Sequence, residues 1–132
     1  MNIIKRFLEW IHLKEKLHNH THKPPLFKEG EMWWCSIGEN IGHEINGKHQ
    51  QFSRPIIVFK KLSANTFLGI PTSTQSKSGS WYVEIASRQG QQTAILSQIR
   101  IFDYKRLYNK MGRLSSSDYK KLKTAFRKLY LE

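Results

Sequence analysis

Arg54-Pro55-Ile56-Ile57-Val58-Phe59 sets an unbroken run of β-branched and aromatic residues directly behind a proline. Proline fixes its own φ and offers no backbone N–H, so it suits the start of a strand and not the middle of a helix. An apolar run without alternation is what a strand buried on both faces requires. The other strand-like segments are short. They run from Met32 to Ile37, from Thr66 to Pro71, and from Thr93 to Phe102 as a strand or strand pair, with Lys110 to Leu114 as a brief last one. Between these, Trp81, Val83 and Ile85 alternate with Tyr82 and Glu84, the pattern of a half-buried strand. The connections are turn-like: a long polar loop from Gly38 to Ser53, and a turn at Ser76–Ser80 around Gly79. Short strands joined by turns predict a small barrel and not a βαβ sheet.

Two helical patterns flank this β-rich body. In Met1–Leu17, Ile4, Leu8 and Ile11 recur at helical spacing with Phe7 and Trp10, and charges fill the other face. Pro24-Pro25 cannot continue that helix, so residues 1–29 read as an amphipathic helix and linker ahead of a domain spanning 30–132. At the far end Tyr119, Leu122, Phe126 and Leu129 form one apolar face, with Ser115, Ser116 or Ser117 as N-cap and Asp118 in the first turn.

Charge narrows the function. The 132 residues hold 22 Lys and Arg against 10 Asp and Glu, a formal net charge of +12. Such a surplus points to an acidic partner: nucleic acid, an anionic membrane surface or an acidic protein. The surplus is spread as +3 over residues 1–29, +6 over 30–114 and +3 over 115–132, so the body itself is basic. Few carboxylates leave little room for a carboxylate-rich Mg²⁺ site. Cys35 is the only cysteine, which excludes a disulfide framework and Cys-based zinc, and fits a reducing compartment such as the cytoplasm. Charges interrupt the N-terminal apolar residues, unlike a signal peptide, and no apolar run approaches membrane-spanning length.

Candidate chemistry is scattered. His18, His20 and His22 alternate and could present imidazoles to a metal, but without a neighbouring carboxylate or thiol the ligand set is incomplete and they read as a solvated linker. Cys35, inside a strand, reads as a small core residue. No serine-hydrolase elbow, P-loop or Rossmann glycine pattern is present. Gly38–Gly47 holds His43 and Glu44 side by side between glycines that permit close backbone approach, or is an ordinary surface loop. Arg54, fixed by Pro55, offers several permanent donors to a phosphate. Pro71-Thr72-Ser73-Thr74-Gln75-Ser76-Lys77 gathers hydroxyls, an amide and a lysine, which suits a phosphodiester backbone or forms a Ser/Thr turn.

In order and spacing these pieces resemble the MazF/PemK family of toxins from type II toxin–antitoxin pairs. The resemblance runs from about Gly30 to the C-terminus. It is carried by Gly30-Glu31-Met32-Trp33-Trp34, Gly42-His43-Glu44 with Gly47, Arg54-Pro55-Ile56-Ile57-Val58, the Pro71–Lys77 cluster, Leu96-Ser97-Gln98-Ile99-Arg100 with Asp103, and the final helix. It implies a mainly β fold with α: a small SH3-like β-barrel of the PemK/CcdB type with a C-terminal helix, here with an added N-terminal helix, usually as a homodimer. It also implies a cytoplasmic, metal-independent and cofactor-free endoribonuclease cutting single-stranded RNA, with an acidic antitoxin filling the RNA groove. DNA is then met only indirectly, through a toxin–antitoxin complex, and no membrane is involved.

Carried onto this sequence, the resemblance gives Arg54 and Ser73 the catalytic guanidinium and hydroxyl, with Ser73 standing for the family's threonine. Glu44 becomes the candidate base, and His43 the second candidate for proton transfer. Thr72, Thr74, Gln75, Lys77, Lys48 and Gln98 become RNA contacts. Four departures stand out: the longer loop through Lys48–Ser53, Ser97 where many relatives carry an acidic residue, Ser73 itself, and the N-terminal extension. Ser97 leaves open a catalytically impaired RNA-binding module of the same fold. The fold alone leaves open a gyrase-directed toxin.

Overall fold

The computed structural model describes residues 5–21 and 23–132. The sequence expectations for Ile4 and His22 lie outside the described residues. Helix α1 (Phe7–Asn19) leads into seven strands: β1 (Glu31–Ser36), β2 (Ser53–Lys61), β3 (Thr66–Ser73), β4 (Tyr82–Ser87), β5 (Gly90–Ile95), β6 (Arg100–Asp103) and β7 (Leu107–Arg113). Helix α2 (Ser116–Leu131) closes the chain, and single 3₁₀ turns at Leu96–Gln98 and Tyr104–Arg106 flank β6.

The sheet is antiparallel, in the order β4-β5-β3-β2-β1-β7, with β6 attached to β3. β3 is the branch point. Its first half, Thr66–Gly69, pairs with β6, and its last residues, Thr72 and Ser73, pair with β5. Splitting one edge between two partners, with register shifts in the β1–β7 and β2–β3 pairs, bends the sheet into a curled half-barrel.

The proline-led run behaves as its composition demands. Ile56, Ile57 and Val58 are fully buried, yet they serve different cores. Ile57 and Phe59 pack with Met32, Ile70, Leu96 and Leu122 of α2. Ile56 and Val58 face the opposite way, onto Phe27, Trp33, Cys35, Phe67 and Phe102. Each such aliphatic side chain contributes roughly 1.5–3 kcal/mol by leaving water.

Local chemistry sets the helix ends. Ser115 is the N-cap of α2, its Oγ accepting from Asp118 N at 3.1 Å, while Asp118 Oδ2 accepts from Ala86 N at 2.9 Å and ties the helix to β4. α1 lacks a capping side chain of its own, and Glu39 supplies one from the β1–β2 loop, accepting from Arg6 N at 2.6 Å. The docked face of α1 differs from the apolar face expected from spacing. Leu8 and Ile11 are exposed, and Trp10 is the buried residue. Its indole meets Phe52 at 5.7 Å and the Arg106 guanidinium at 5.6 Å, an aromatic and cation–π seat that aliphatic side chains cannot fill.

Other boundaries moved modestly. The 93–102 segment divides into β5 and β6 because Leu96–Gln98 forms a 3₁₀ turn, and β7 begins three residues ahead of its expected start, at Leu107. Cys35 is fully buried, and burial pushes its thiol up to about 12. Among the described residues no three His, Cys, Asp or Glu side chains gather as a metal site, and no helix is long and apolar enough to cross a membrane.

Candidate active site

The link from β1 to β2 folds into two successive arcs. The first closes where Gly47 N donates to Gly38 O at 2.8 Å, and the second where Lys48 and Ser53 exchange backbone hydrogen bonds of 3.0 Å each way. Gly47 is required at the crossing, because a Cβ there would collide with the Phe52 carbonyl. The first arc carries His43 and Glu44. The second carries His49 and ends on Arg54.

The first arc is stiffened from inside. Asn40 Nδ2 donates to Ile45 O at 2.7 Å, and Glu44 Oε1 accepts from Ile41 N at 2.9 Å. Gln98, on the 3₁₀ turn after β5, pins it from outside. Its Oε1 accepts from Ile45 N at 3.1 Å and its Nε2 donates to His43 O at 3.2 Å. The Gln98 amide is thus committed to shaping the loop. His43, Glu44, Ser97, Gln98 and Arg100 line an open cavity of about 710 Å³.

Arg54 belongs to a second, tighter cavity of about 210 Å³, shared with Lys48, His49, Ser73, Thr74 and Gln92. Its Nε donates to the carbonyl of Asn46, which fixes the guanidinium plane and leaves both terminal nitrogens without protein partners among the described residues. Burial lowers the Arg54 pKa from its ordinary value, and a guanidinium stays charged through such a shift. Ser73 Oγ accepts from Gln75 N at 3.2 Å, and its own hydrogen is not used within the described residues. Thr72 is different. It is fully buried, and its hydroxyl is held between Pro55 O at 2.8 Å and Gln92 Oε1 at 3.1 Å, so it braces the wall.

The structure therefore brings together Arg54, Ser73, Thr72, Thr74 and Lys48 around one cavity, and His43, Glu44 and Gln98 around its neighbour. Asn46 links the two, since its side chain accepts from Asn40 N at 2.5 Å while its carbonyl holds Arg54. Gln75 and Lys77 sit beyond Ser73 on the exposed loop, with Lys77 Nζ 5.6 Å from the Tyr82 ring centre. Of the histidine trio, His18 is in the last turn of α1 and His20 is its C-cap, and Lys105 Nζ donates to His18 O at 2.7 Å.

The Arg54 cavity is also lined by His49, Gln89 and Gln92, which had no site role in the sequence expectations, and by Trp34, which entered there only as part of the first family-like segment. The β1–β2 register sets Trp34 opposite Pro55, next to Arg54, and Lys48-His49 stands just upstream of the same arginine. Those proximities were the available signals. The cavity continues past Trp34, His49 and Ser53 into an open groove of about 620 Å³ that adds Tyr108 and Asn109. Ser53 Oγ and Tyr108 Oη lie 2.8 Å apart there.

Comparison with known proteins gives consistent results. Residues 28–130 match the family described as PemK-like, MazF-like toxin of type II toxin–antitoxin system. MazF from Deinococcus radiodurans superposes with a TM-score of 0.66 at 16% identity, covering 82% of this chain and 99% of that one. The MazE–MazF structure from the same organism gives 0.60 at 12% identity, covering 80% and 95%. A mycobacterial endoribonuclease solved with its cognate antitoxin gives 0.59 at 11% identity, covering 76% and 90%. No curated protein is significantly similar to this chain.

Proposed function

The chain belongs to the PemK-like, MazF-like toxin family of type II toxin–antitoxin systems, and on that premise we propose that it is a metal-independent endoribonuclease cutting single-stranded RNA at the Arg54 cavity. The carrying observation is the meeting, in one cavity, of a guanidinium whose two terminal nitrogens and a hydroxyl whose hydrogen have no partner among the described residues, together with Lys48.

Those groups suit attack by the substrate's own 2′-hydroxyl on the adjacent phosphorus. The nucleophile is tethered, so holding the phosphodiester in line supplies much of the rate. Arg54 faces the phosphoryl oxygens and offsets the charge that grows on them in the transition state. Ser73 donates to one of them. Lys48 and Thr74 hold the flanking backbone. Glu44, His43 and Gln98 border the RNA on the far side of Asn46, with Gln75 and Lys77 at the exit from Ser73. Products are a 2′,3′-cyclic phosphate and a 5′-hydroxyl end.

The proposed partners follow from charge. A surface of +12 attracts RNA and an acidic antitoxin to the same groove, and both attractions weaken with salt. The MazE–MazF and mycobacterial complexes motivate the antitoxin. A homodimer working in the cytoplasm completes the reading.

The test is digestion of a long single-stranded RNA by purified protein in chelator, with the ends mapped. Cyclic phosphate and 5′-hydroxyl ends, lost in Arg54→Ala, support the proposal. A strict Mg²⁺ requirement overturns the chemistry. RNA binding without cleavage favours the impaired module that Ser97 suggests, and gyrase inhibition without RNA binding favours a protein target.

A further inference from the structure

The Arg54 cavity holds a phosphate clamp but, among its described lining residues, no carboxylate. Glu44 lines the neighbouring cavity, with one carboxylate oxygen held by Ile41 N. Imidazole is the side chain most often used as a general acid or base, and His49 lines this cavity. It also lines the adjoining groove with Trp34 and Tyr108, so it stands where the phosphate site meets a surface able to stack a base.

The backbone at His49 is held in an uncommon conformation. Its φ is +64° and that of Phe52 is +49°, both in the left-handed region that non-glycine residues rarely enter. Such strain persists only where surrounding structure enforces it, and it concentrates at functional sites. Here the Lys48–Ser53 backbone pair closes the turn, and the N-terminal segment braces it from outside. Arg6 Nη2 donates to His49 O at 2.9 Å, and the same guanidinium lies 4.1 Å from the Phe52 ring centre. Phe52 is buried against Trp10, and Phe52 N donates to His49 O at 3.3 Å. α1 lies outside residues 28–130, so this brace belongs to the part of the chain that the family match does not cover.

We infer that His49 is the catalytic proton acceptor of the Arg54 cavity and that Arg6 of the N-terminal segment is its positioning residue. The inference rests on the ribonuclease reading and specifies its missing base. The 2′-hydroxyl proton passes to the imidazole as the 2′-oxygen bonds to phosphorus. The P–O5′ bond breaks, its electron pair goes to O5′, and that oxygen takes a proton from water. The imidazolium then returns its proton to the hydroxide left behind. The charged and titratable groups around His49 are Lys48 beside it, Arg54 across the cavity, Arg6 on its carbonyl and Tyr108 in the groove.

The experiment compares full-length wild type, His49→Asn, His49→Gln, Arg6→Ala and Arg54→Ala on one long RNA, with melting temperatures measured alongside. Asparagine tolerates left-handed backbone, so His49→Asn preserves the turn. The expected result is a loss in kcat on the order of 100-fold or more in both His49 variants, little change in KM, and loss of the acidic limb of the pH–rate profile. Arg6→Ala should lower kcat about tenfold while keeping that limb, because the base is present but loosely held. His49→Asn cleaving at the wild-type rate with an unchanged profile overturns this inference and leaves the ribonuclease reading standing. Wild type that does not cleave RNA overturns both.

Discussion

Trp10 lays its indole against the backbone of Gly38, so closely that any Cβ at position 38 would penetrate the ring. Gly38 also has a φ of +93°, a second reason for glycine there. The contact joins the N-terminal helix to the first residues of the β1–β2 link, and Gly38 O is the acceptor that closes the first arc. Gly38→Ala should therefore undock α1 and disturb the arc together. Trp10→Ala should remove the aromatic anchor alone, at a stability cost on the order of 3 kcal/mol. Denaturant titration followed by tryptophan fluorescence tests both, and wild-type stability in Trp10→Ala would show that α1 does not depend on this seat.

Ser73 is at the end of β3, where the strand pairs with β5, and its hydroxyl hydrogen is not used within the described residues. On the proposed chemistry, Ser73→Ala should lower cleavage about 100-fold with the fold unchanged, because it removes the donor assigned to a phosphoryl oxygen. Ser73→Thr should retain most activity, since it keeps the hydroxyl on a strand that favours β-branched residues. Equal loss in both variants would point to packing at position 73 and not to hydrogen bonding.

Much of the fold was legible because it rests on short-range rules. A proline-led apolar run became a strand serving two cores, and serine before a helical pattern became the cap of α2. Arg54 and Ser73 stood out by residue type, and β3 brings Ser73 to the cavity of Arg54. What sequence could not reveal is how the β1–β2 link folds back. Glu44 and His43 are next to each other in sequence, yet Gly47 and Gln98 turn their arc toward a separate cavity. His49 looked like part of an insertion, and its carbonyl accepts from Arg6, forty-three residues earlier. The buried side of α1 was misjudged for a related reason: hydrophobic spacing marks an apolar face but does not mark a cation–π seat.

Cys35 should be chemically silent in the native protein. It is fully buried, and burial pushes its thiol up to about 12, so thiolate, the reactive form, is scarce at neutral pH. A disulfide reagent should titrate no thiol in the folded chain and one thiol after denaturation. Prompt labelling under native conditions would mean that the core around Trp33, Phe67 and Phe102 opens readily.

Glu31 should set the acid limit of stability. Burial opposes its ionisation, but Lys110 Nζ at 2.6 Å, Trp33 Nε1 at 3.1 Å and Lys28 N at 2.8 Å outweigh that cost and lower its pKa below the ordinary carboxylate value. A carboxylate whose folded pKa is depressed binds protons more readily when unfolded. It therefore contributes stability that is fully present above the unfolded pKa of about 4.3 and is lost as pH falls through the folded value. Thermal unfolding across pH 7 to 3 should show that loss beginning near pH 4 to 5 in wild type. Glu31→Gln should be less stable at pH 7 and flatter over the same range, because it removes both the charge-assisted bonds and the titration. Lys110→Ala keeps the buried carboxylate but removes its cation, so it should destabilise by about 1–3 kcal/mol at pH 7 and shift the acid transition upward. A Glu31→Gln variant with the same pH slope as wild type would assign the acid limit to another carboxylate.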